Sequence, residues 1–568
     1  MGRDSGAQDT DATKAGLFDA VSHPVRIKIL KALNEKPMGF AELGRAVGIE
    51  SGGHLSFHLT KLGHLVRTDS RGDYVLTGDG RDALWTVHSP DERSLALEAT
   101  PSQAHRIAVL PLSNLGPEPK DEYFADGMTE EIISAVSGIS NLDVISRTSV
   151  MGYKGTTKKV EEIGRELKVG SVLEGSFRKV GKRIRVTVQL IEVPRDRHLW
   201  GQNYDRSLGG IFSVQSDVAR QVADALRVKI LGPEMKRIRK KPTENAEAYT
   251  LYLRGIHHFR SKPTSQVGLV GKATGYFKLA CEQDPRFALA YAKLAECELL
   301  LAGETMPSKE AVPIAKEHAA QALLLDDKLA EAHLVHAMIA NQYDWDWADA
   351  EKGFREAISL KPSLADAHTW FSWFMAMMGR SAEAISEATR ACELDPMSSF
   401  TYQLAGFSDW IAGDYVTARA LEKRSLELSP SNAYAYMNLA GISASEGKYD
   451  EAVKEADEAL ELANDTSLAT GKAQVYATAG LKEKAREILD GVLSKKYSGY
   501  PSPSLIGTVF YLLGERDEGW KWMQDAYEAR ETALVMYSRN PTMRAAREDP
   551  RYLGLLKRLG LDLTAQPA

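Results

Sequence analysis

A chain of 568 residues is too long for one hydrophobic core, and its 43% hydrophobic and 26% charged residues are the balance of ordinary globular domains, which excludes a fibrous or wholly disordered chain. The formal charge of −6 averages unlike segments: −2 over residues 1–104, +3 over 105–230, +4 over 231–241 and −11 over 242–568. Cys281, Cys297 and Cys392 are too few and too widely spaced for a disulfide framework or a CxxC-type zinc or redox site, and no run of about 18 uncharged apolar residues offers a membrane span. A reducing, cytoplasmic compartment without a membrane anchor is the resulting expectation.

In chain order, residues 1–15 are small, polar and aperiodic, which predicts a disordered tail, with structure beginning near Leu17 in a short helix. A second helix runs from Pro24 to Asn34: Val25, Ile27, Ile29, Leu30 and Leu33 are apolar, and Pro24 suits a first turn. A third spans Phe40 to Val47. A fourth runs from about Gly52 to His64 behind Ser51 as N-cap, and its Leu55, Leu59 and Leu62 recur at spacings of four and three. That stripe faces a core and leaves Ser56, Phe57, Thr60 and Lys61 on the other side. A polar hairpin follows around Ser70, Arg71, Gly72 and Asp73.

A short helix leading into an amphipathic helix with a polar outer face is the layout of a helix-turn-helix, whose second helix enters the major groove. Between Ser22 and Gly72 eight basic residues face four acids, the local excess that phosphate binding requires. The candidate DNA contacts are Ser56, Thr60 and Lys61 toward bases or phosphates, His54 within reach of DNA, Ser51 as cap with a phosphate contact, and Arg67 and Arg71 from the hairpin toward backbone or minor groove. His54 and His58 are four apart, but no third ligand is near, so no metal site is assigned and His58 is expected to pack at the helix base.

The stretch Ala20-Val21-Ser22-His23-Pro24-Val25-Arg26-Ile27-Lys28-Ile29-Leu30, followed by Leu55-Ser56-Phe57-His58-Leu59-Thr60-Lys61-Leu62 and a hairpin ending in Tyr74-Val75-Leu76-Thr77, resembles the ArsR-type winged-helix regulators. The resemblance implies a winged helix-turn-helix DNA-binding domain over residues 16–95; a homodimer formed through that domain is expected with it. Many members of that family sense metals through cysteine thiolates in the helix before the recognition helix. This segment has no cysteine, so that property does not carry over.

From residue 105 the pattern changes. Arg106 to Leu112 reads as a buried strand, followed by a helix from about Thr129 to Ser137, a strand from Leu142 to Ile145 and a helix from Val160 to Leu167. Three β-rich stretches (Ser171 to Val180, Arg183 to Val193, His198 to Tyr204) and a helix from Ile211 to Val228 complete an α/β domain with a mixed sheet. Ile107-Ala108-Val109-Leu110-Pro111-Leu112, Tyr123-Phe124-Ala125-Asp126-Gly127-Met128, Val172-Leu173-Glu174-Gly175-Ser176-Phe177-Arg178 and His198-Leu199-Trp200-Gly201-Gln202-Asn203-Tyr204 resemble the TolB amino-terminal-like domain over 105–230. Asp126, Glu130, Glu131, Arg147 and Glu174 bring acids and a base together, but acids opening a helix are ordinary partners of its N–H groups, and none of the usual catalytic or phosphate-binding motifs occurs. No catalytic residue and no cofactor are assigned.

Residues 231–245 read as a solvated basic linker around Lys236-Arg237-Ile238-Arg239-Lys240-Lys241. Beyond it Pro362, Pro396 and Pro430 lie 34 apart, as do Ala384, Ala418 and Ala452, which is the tetratricopeptide (TPR) period. About eight helix pairs are expected over 246–530, with 531–568 as a capping segment, and the concave face, broadly acidic, would bind a protein or peptide. The aromatic clusters Tyr343 to Trp347 and Trp370 to Phe374 read as inter-helix packing. The fold class expected is multidomain α and α/β: a winged helix-turn-helix, a mixed-sheet α/β domain and an α-solenoid of TPR helix pairs. A transcriptional regulator bound to double-stranded DNA follows, with a signalling adaptor that uses the first domain for protein contact as the alternative.

Overall fold

The computed structural model describes residues 24–49, 52–69, 72–77, 105–118, 121–181, 183–207, 211–259, 266–302 and 307–561. The chain divides into two compact units, residues 1–100 and 101–568. The expected tail and first short helix lie outside the described residues.

The first unit holds α1 (Pro24–Glu35), α2 (Phe40–Val47) and α3 (Gly52–Leu62), then β1 (Val66–Thr68) paired antiparallel with β2 (Tyr74–Leu76). Its core joins Ile29, Leu30 and Leu33 of α1, Leu43 and Val47 of α2, and Leu55, Leu59 and Leu62 of α3. α2 stops at Gly48, whose φ of +74° is the left-handed cap that only glycine adopts without strain. Met38 exchanges backbone hydrogen bonds with Tyr74, which ties the α1–α2 connection to the hairpin.

The second unit opens with a mixed sheet in the order β5-β3-β6-β7-β8, with the short β4 beside β6. β3 (Arg106–Val109) runs parallel to β5 (Asp143–Val144) and to β6 (Ser171–Val180); β7 (Arg183–Glu192) and β8 (Arg197–Ser207) continue antiparallel from β6, and β4 is Ser113–Asn114. The helices are α4 (Glu122–Ser137), α5 (Arg147–Met151), α6 (Val160–Glu166) and α7 (Ile211–Ala225). The solvated basic linker is a misreading: Gly232–Arg239 forms α8, anchored by Glu234, which accepts from the backbone of Leu231 and Ser140, and by the buried Ile238.

Eight antiparallel helix pairs follow, each a TPR-type unit: α9 (Ala246–Phe259) with α10 (Gln266–Gln283), α11 (Ala288–Leu301) with α12 (Ser308–Leu325), α13 (Ala330–Ile339) with α14 (Trp347–Leu360), α15 (Ala365–Met377) with α16 (Ser381–Leu394), α17 (Ser399–Ala412) with α18 (Tyr415–Leu428), α19 (Ala433–Ser445) with α20 (Tyr449–Leu462), α21 (Thr466–Thr478) with α22 (Lys482–Leu493), and α23 (Pro503–Leu513) with α24 (Arg516–Glu528). Ala384, Ala418 and Ala452, at one position of successive second helices, are fully buried. The small side chain is what lets the paired helices approach.

The separate α/β domain and array expected from sequence are one body. A single apolar core runs from Ile107 and Phe124 through Tyr249 and Phe277 to Cys297. Polar contacts then fasten the sheet edge to the repeat turns: Arg390 pairs with Asp143, Ser363 bridges Leu142 O and Val144 N, and Arg106 donates to Glu393 O. Asp395, 2% exposed, accepts from Ser146, from Ser149 at 2.6 Å and from Thr401 at 3.2 Å. Asp395→Ala strands the buried Ser149 and Thr401 hydroxyls and the half-buried Ser146 hydroxyl and should lower the stability of this unit by about 1–3 kcal/mol in a denaturant titration; an unchanged midpoint would refute that role.

The array also closes on itself. Seven consecutive residues of α15, Phe371 to Met377, are buried, and a helix buried all round needs cover on every side. The cover is the C-terminal segment: α25 (Thr532–Met536), a turn at Pro541–Met543, α26 (Arg544–Arg547) and α27 (Pro550–Arg558). Tyr537 packs edge-on to Phe407, Arg539 donates to Met377 O, Arg530 donates to Tyr343 O and lies over Trp345, and Trp347 Nε1 donates to Leu559 O. The described part of the 531–568 segment expected to cap the array thus packs against its third and fourth repeats. The aromatic clusters are packing, as their spacing predicts.

Candidate nucleic-acid interface

α3 turns Leu55, Leu59 and Leu62 inward, with the His58 ring 2% exposed beside them. The outward side presents Gly53, His54, Ser56, Phe57, Thr60 and Lys61, all exposed, with no acid along the helix. Thr60 donates its hydroxyl to Ser56 O at 2.9 Å, so its remaining lone pairs point away from the helix. Arg67 is exposed on β1, and register pairs it with Val75. The hairpin turn is fixed by Asp69, whose side chain accepts from Asp73 N at 3.0 Å, and by Gly72 at φ +83°.

Five of the seven residues chosen from sequence, His54, Ser56, Thr60, Lys61 and Arg67, are thus exposed on α3 or the hairpin, the first four on one helix face. Ser51 and Arg71 lie outside the described residues. The exposed cations Lys28 and Arg45, on α1 and α2, were not among those chosen, although their charge was counted. Glu42 offsets one of the local positive charges: Lys36 Nζ sits 2.7 Å from it and, with Arg45 adding to the effect, holds its carboxyl ionised and below the usual range. Sequence reasoning also passed over Phe57 as a contact, though it is the most exposed large apolar side chain described in this unit.

The acids weighed as a possible reactive site serve the body of the second unit. Asp126 accepts from Lys154 at 2.5 Å and lies 3.0 Å from His257 Nδ1, and these partners outweigh burial and lower its pKa. Arg147 pairs with Glu130 at 3.2 Å. Glu131, buried between α4 and the repeats, is pushed up to about 8 by desolvation and by Glu130. Among the described residues no group of three His, Cys, Asp or Glu is arranged to hold a metal ion, and no helix is long and apolar enough to cross a membrane.

Comparison with known proteins divides along the same lines. A family model described as a domain of unknown function (DUF7347) matches residues 14–87, and a tetratricopeptide repeat model matches 410–475. A protein named putative adenylate cyclase 3 from Rhizobium meliloti (strain 1021) is 38% identical over 222 residues, 37% of each chain. Transcriptional regulator HilA of Salmonella typhimurium is 23% identical over 338 residues, 57% of this chain and 59% of the regulator. The chain thus spans between about two and three fifths of the length of these curated relatives. Among solved structures, the type IV pilus biogenesis factor PilW is similar at 22% identity, over 37% of this chain and 93% of that one, with a TM-score of 0.31. Yeast Tom70 is similar at 14% identity, over 62% and 82%, with a TM-score of 0.35.

Proposed function

We propose that this chain is a non-enzymatic transcriptional regulator that binds double-stranded DNA through residues 16–95, a winged helix-turn-helix of ArsR type with α3 as recognition helix and β1–β2 as wing. One observation carries the reading: α3 is anchored by an apolar stripe and offers the solvent an acid-free face of hydroxyl, imidazole and ammonium groups, set in a locally basic segment. The likeness to a transcriptional regulator supports it. In this reading His54, Ser56, Thr60 and Lys61 meet bases or phosphates, Ser51 caps α3 beside a phosphate, and Arg67 and Arg71 grip the backbone or minor groove. The second unit, a TolB amino-terminal-like domain fused to TPR repeats, receives the signal through a protein or peptide partner on the array. Cytoplasmic residence and pairing of two copies through the first unit belong to the same proposal.

The test is salt-dependent binding of the full chain to mixed-sequence duplex DNA. Lys61→Ala with Arg67→Ala should weaken binding to all sequences and reduce the log-log salt slope by about one per lost phosphate contact. No salt-dependent binding at low ionic strength would overturn the reading and favour an adaptor that uses this unit for protein contact.

A further inference from the structure

Phe57 stands at the centre of the exposed face of α3. Its neighbours at helical spacings of three and four are Gly53 and His54 on one side and Thr60 and Lys61 on the other. Its ring is 56% exposed, and it meets the ring of buried His58 edge-on, with centroids 5.4 Å apart and planes at 73°. His58 in turn lies 4.9 Å from the His54 ring. The phenyl group is therefore braced from beneath and open above, an apolar island ringed by polar groups. A body docked on this face must cover it.

The DNA major groove offers one apolar feature at its base edges, the C5-methyl of thymine. We propose that Phe57 is a sequence-reading residue of this face, packing its ring on a thymine methyl while the surrounding polar groups hold the helix in the groove. The inference rests on the DNA-binding reading above and adds a base preference to it. Lys61 and Arg67 would position the protein on any duplex, because phosphates carry no sequence information. Phe57 supplies discrimination, because only thymine presents a methyl there. Gly53, one turn before it, has no side chain to hold the groove wall away.

The test uses the full chain to select duplexes from a random-sequence pool. The preferred duplex is then resynthesised with deoxyuridine in place of thymidine at one position at a time, which removes the methyl and leaves every hydrogen-bonding group. At one or two positions wild-type affinity should fall about three- to tenfold, on the scale of one lost buried methyl. Phe57→Ala should bind the methylated and unmethylated duplexes alike, with its salt slope unchanged, while Phe57→Leu should keep part of the difference. The side chain is largely exposed, so the variants should melt with wild type.

If deoxyuridine has no effect at any position, or if Phe57→Ala keeps the full methyl-dependent difference, the inference is overturned while salt-dependent binding leaves the DNA reading standing. A chain that neither selects a sequence nor binds DNA in a salt-dependent way removes both. If Phe57→Ala converts a dimer to a monomer in sedimentation, the ring belongs between two copies of the chain, which also overturns the inference.

Discussion

Replacing Tyr552 by alanine should destabilise the second unit by about 3–5 kcal/mol, whereas phenylalanine at the same position should be neutral or stabilising. Tyr552 opens α27 and is the largest fully buried side chain described. It shares one apolar cluster with Leu534, Val535 and Met543 of the returning segment and with Phe371, Phe374 and Met375 of the fourth repeat. Truncation leaves a ring-sized void where the array closes. The hydroxyl, by contrast, finds no hydrogen-bond partner among the described residues, so deleting it alone removes a desolvated polar group. Denaturant midpoints of the two variants decide the matter, and equal losses for Ala and Phe would show that the hydroxyl holds the segment instead of the ring.

Glu131 should make the second unit lose stability as pH rises toward 8. Its carboxyl lies among Glu130 on its own helix, Gln215 of α7, Tyr249 and Tyr252 of α9, Glu331 of α13 and Lys361. Lys361 Nζ donates to Glu331 at 2.7 Å and holds that acid in its ionised form, which leaves Glu131 to keep its proton. Below pH 4.5 both folded and unfolded chains hold that proton. Between 4.5 and about 8 only the folded chain does, so stability falls with rising pH by on the order of 5 kcal/mol over the window, and above it the slope ends. Glu131→Gln keeps the shape and removes the titration. Its advantage over wild type should be greatest near pH 8.5 and small near pH 5; a difference independent of pH would refute the assignment.

Local pattern and distant packing account for what could be read in advance. The leucine stripe of α3 and the 34-residue recurrence of small residues are local periodicities, and both the outward set His54, Ser56, Thr60, Lys61 and the eight helix pairs follow from them. α4 was expected to begin at Thr129 but begins at Glu122, because Gly127 resembles a break. A Cβ at that position would collide with the Leu253 side chain, so the glycine records a crossing of α4 with α9 that no neighbouring residue announces. The basic run of α8 looked solvated for the same reason: the partners of Glu234 are near Leu231 but also 94 residues away at Ser140. The candidate site was legible in outline because its helix is short, amphipathic and built on nearby residues. Phe57 was placed on the outward face from sequence but given no role there, because the candidate contacts were chosen for polar and charged groups.

The return of the C-terminal segment onto the third and fourth repeats has a consequence for synthesis. Trp347 waits for Leu559, its hydrogen-bond partner 212 residues later. At about 5–20 residues per second the ribosome needs roughly 10–40 s to supply it. Through that interval the aromatic inner side of α15 is bare, although each helix pair can form as soon as it emerges. Chains released early, ending anywhere between the fourth repeat and α25, carry the same uncovered surface permanently. Chaperone dependence should therefore be concentrated in this late window, and incomplete products should be recovered in aggregates.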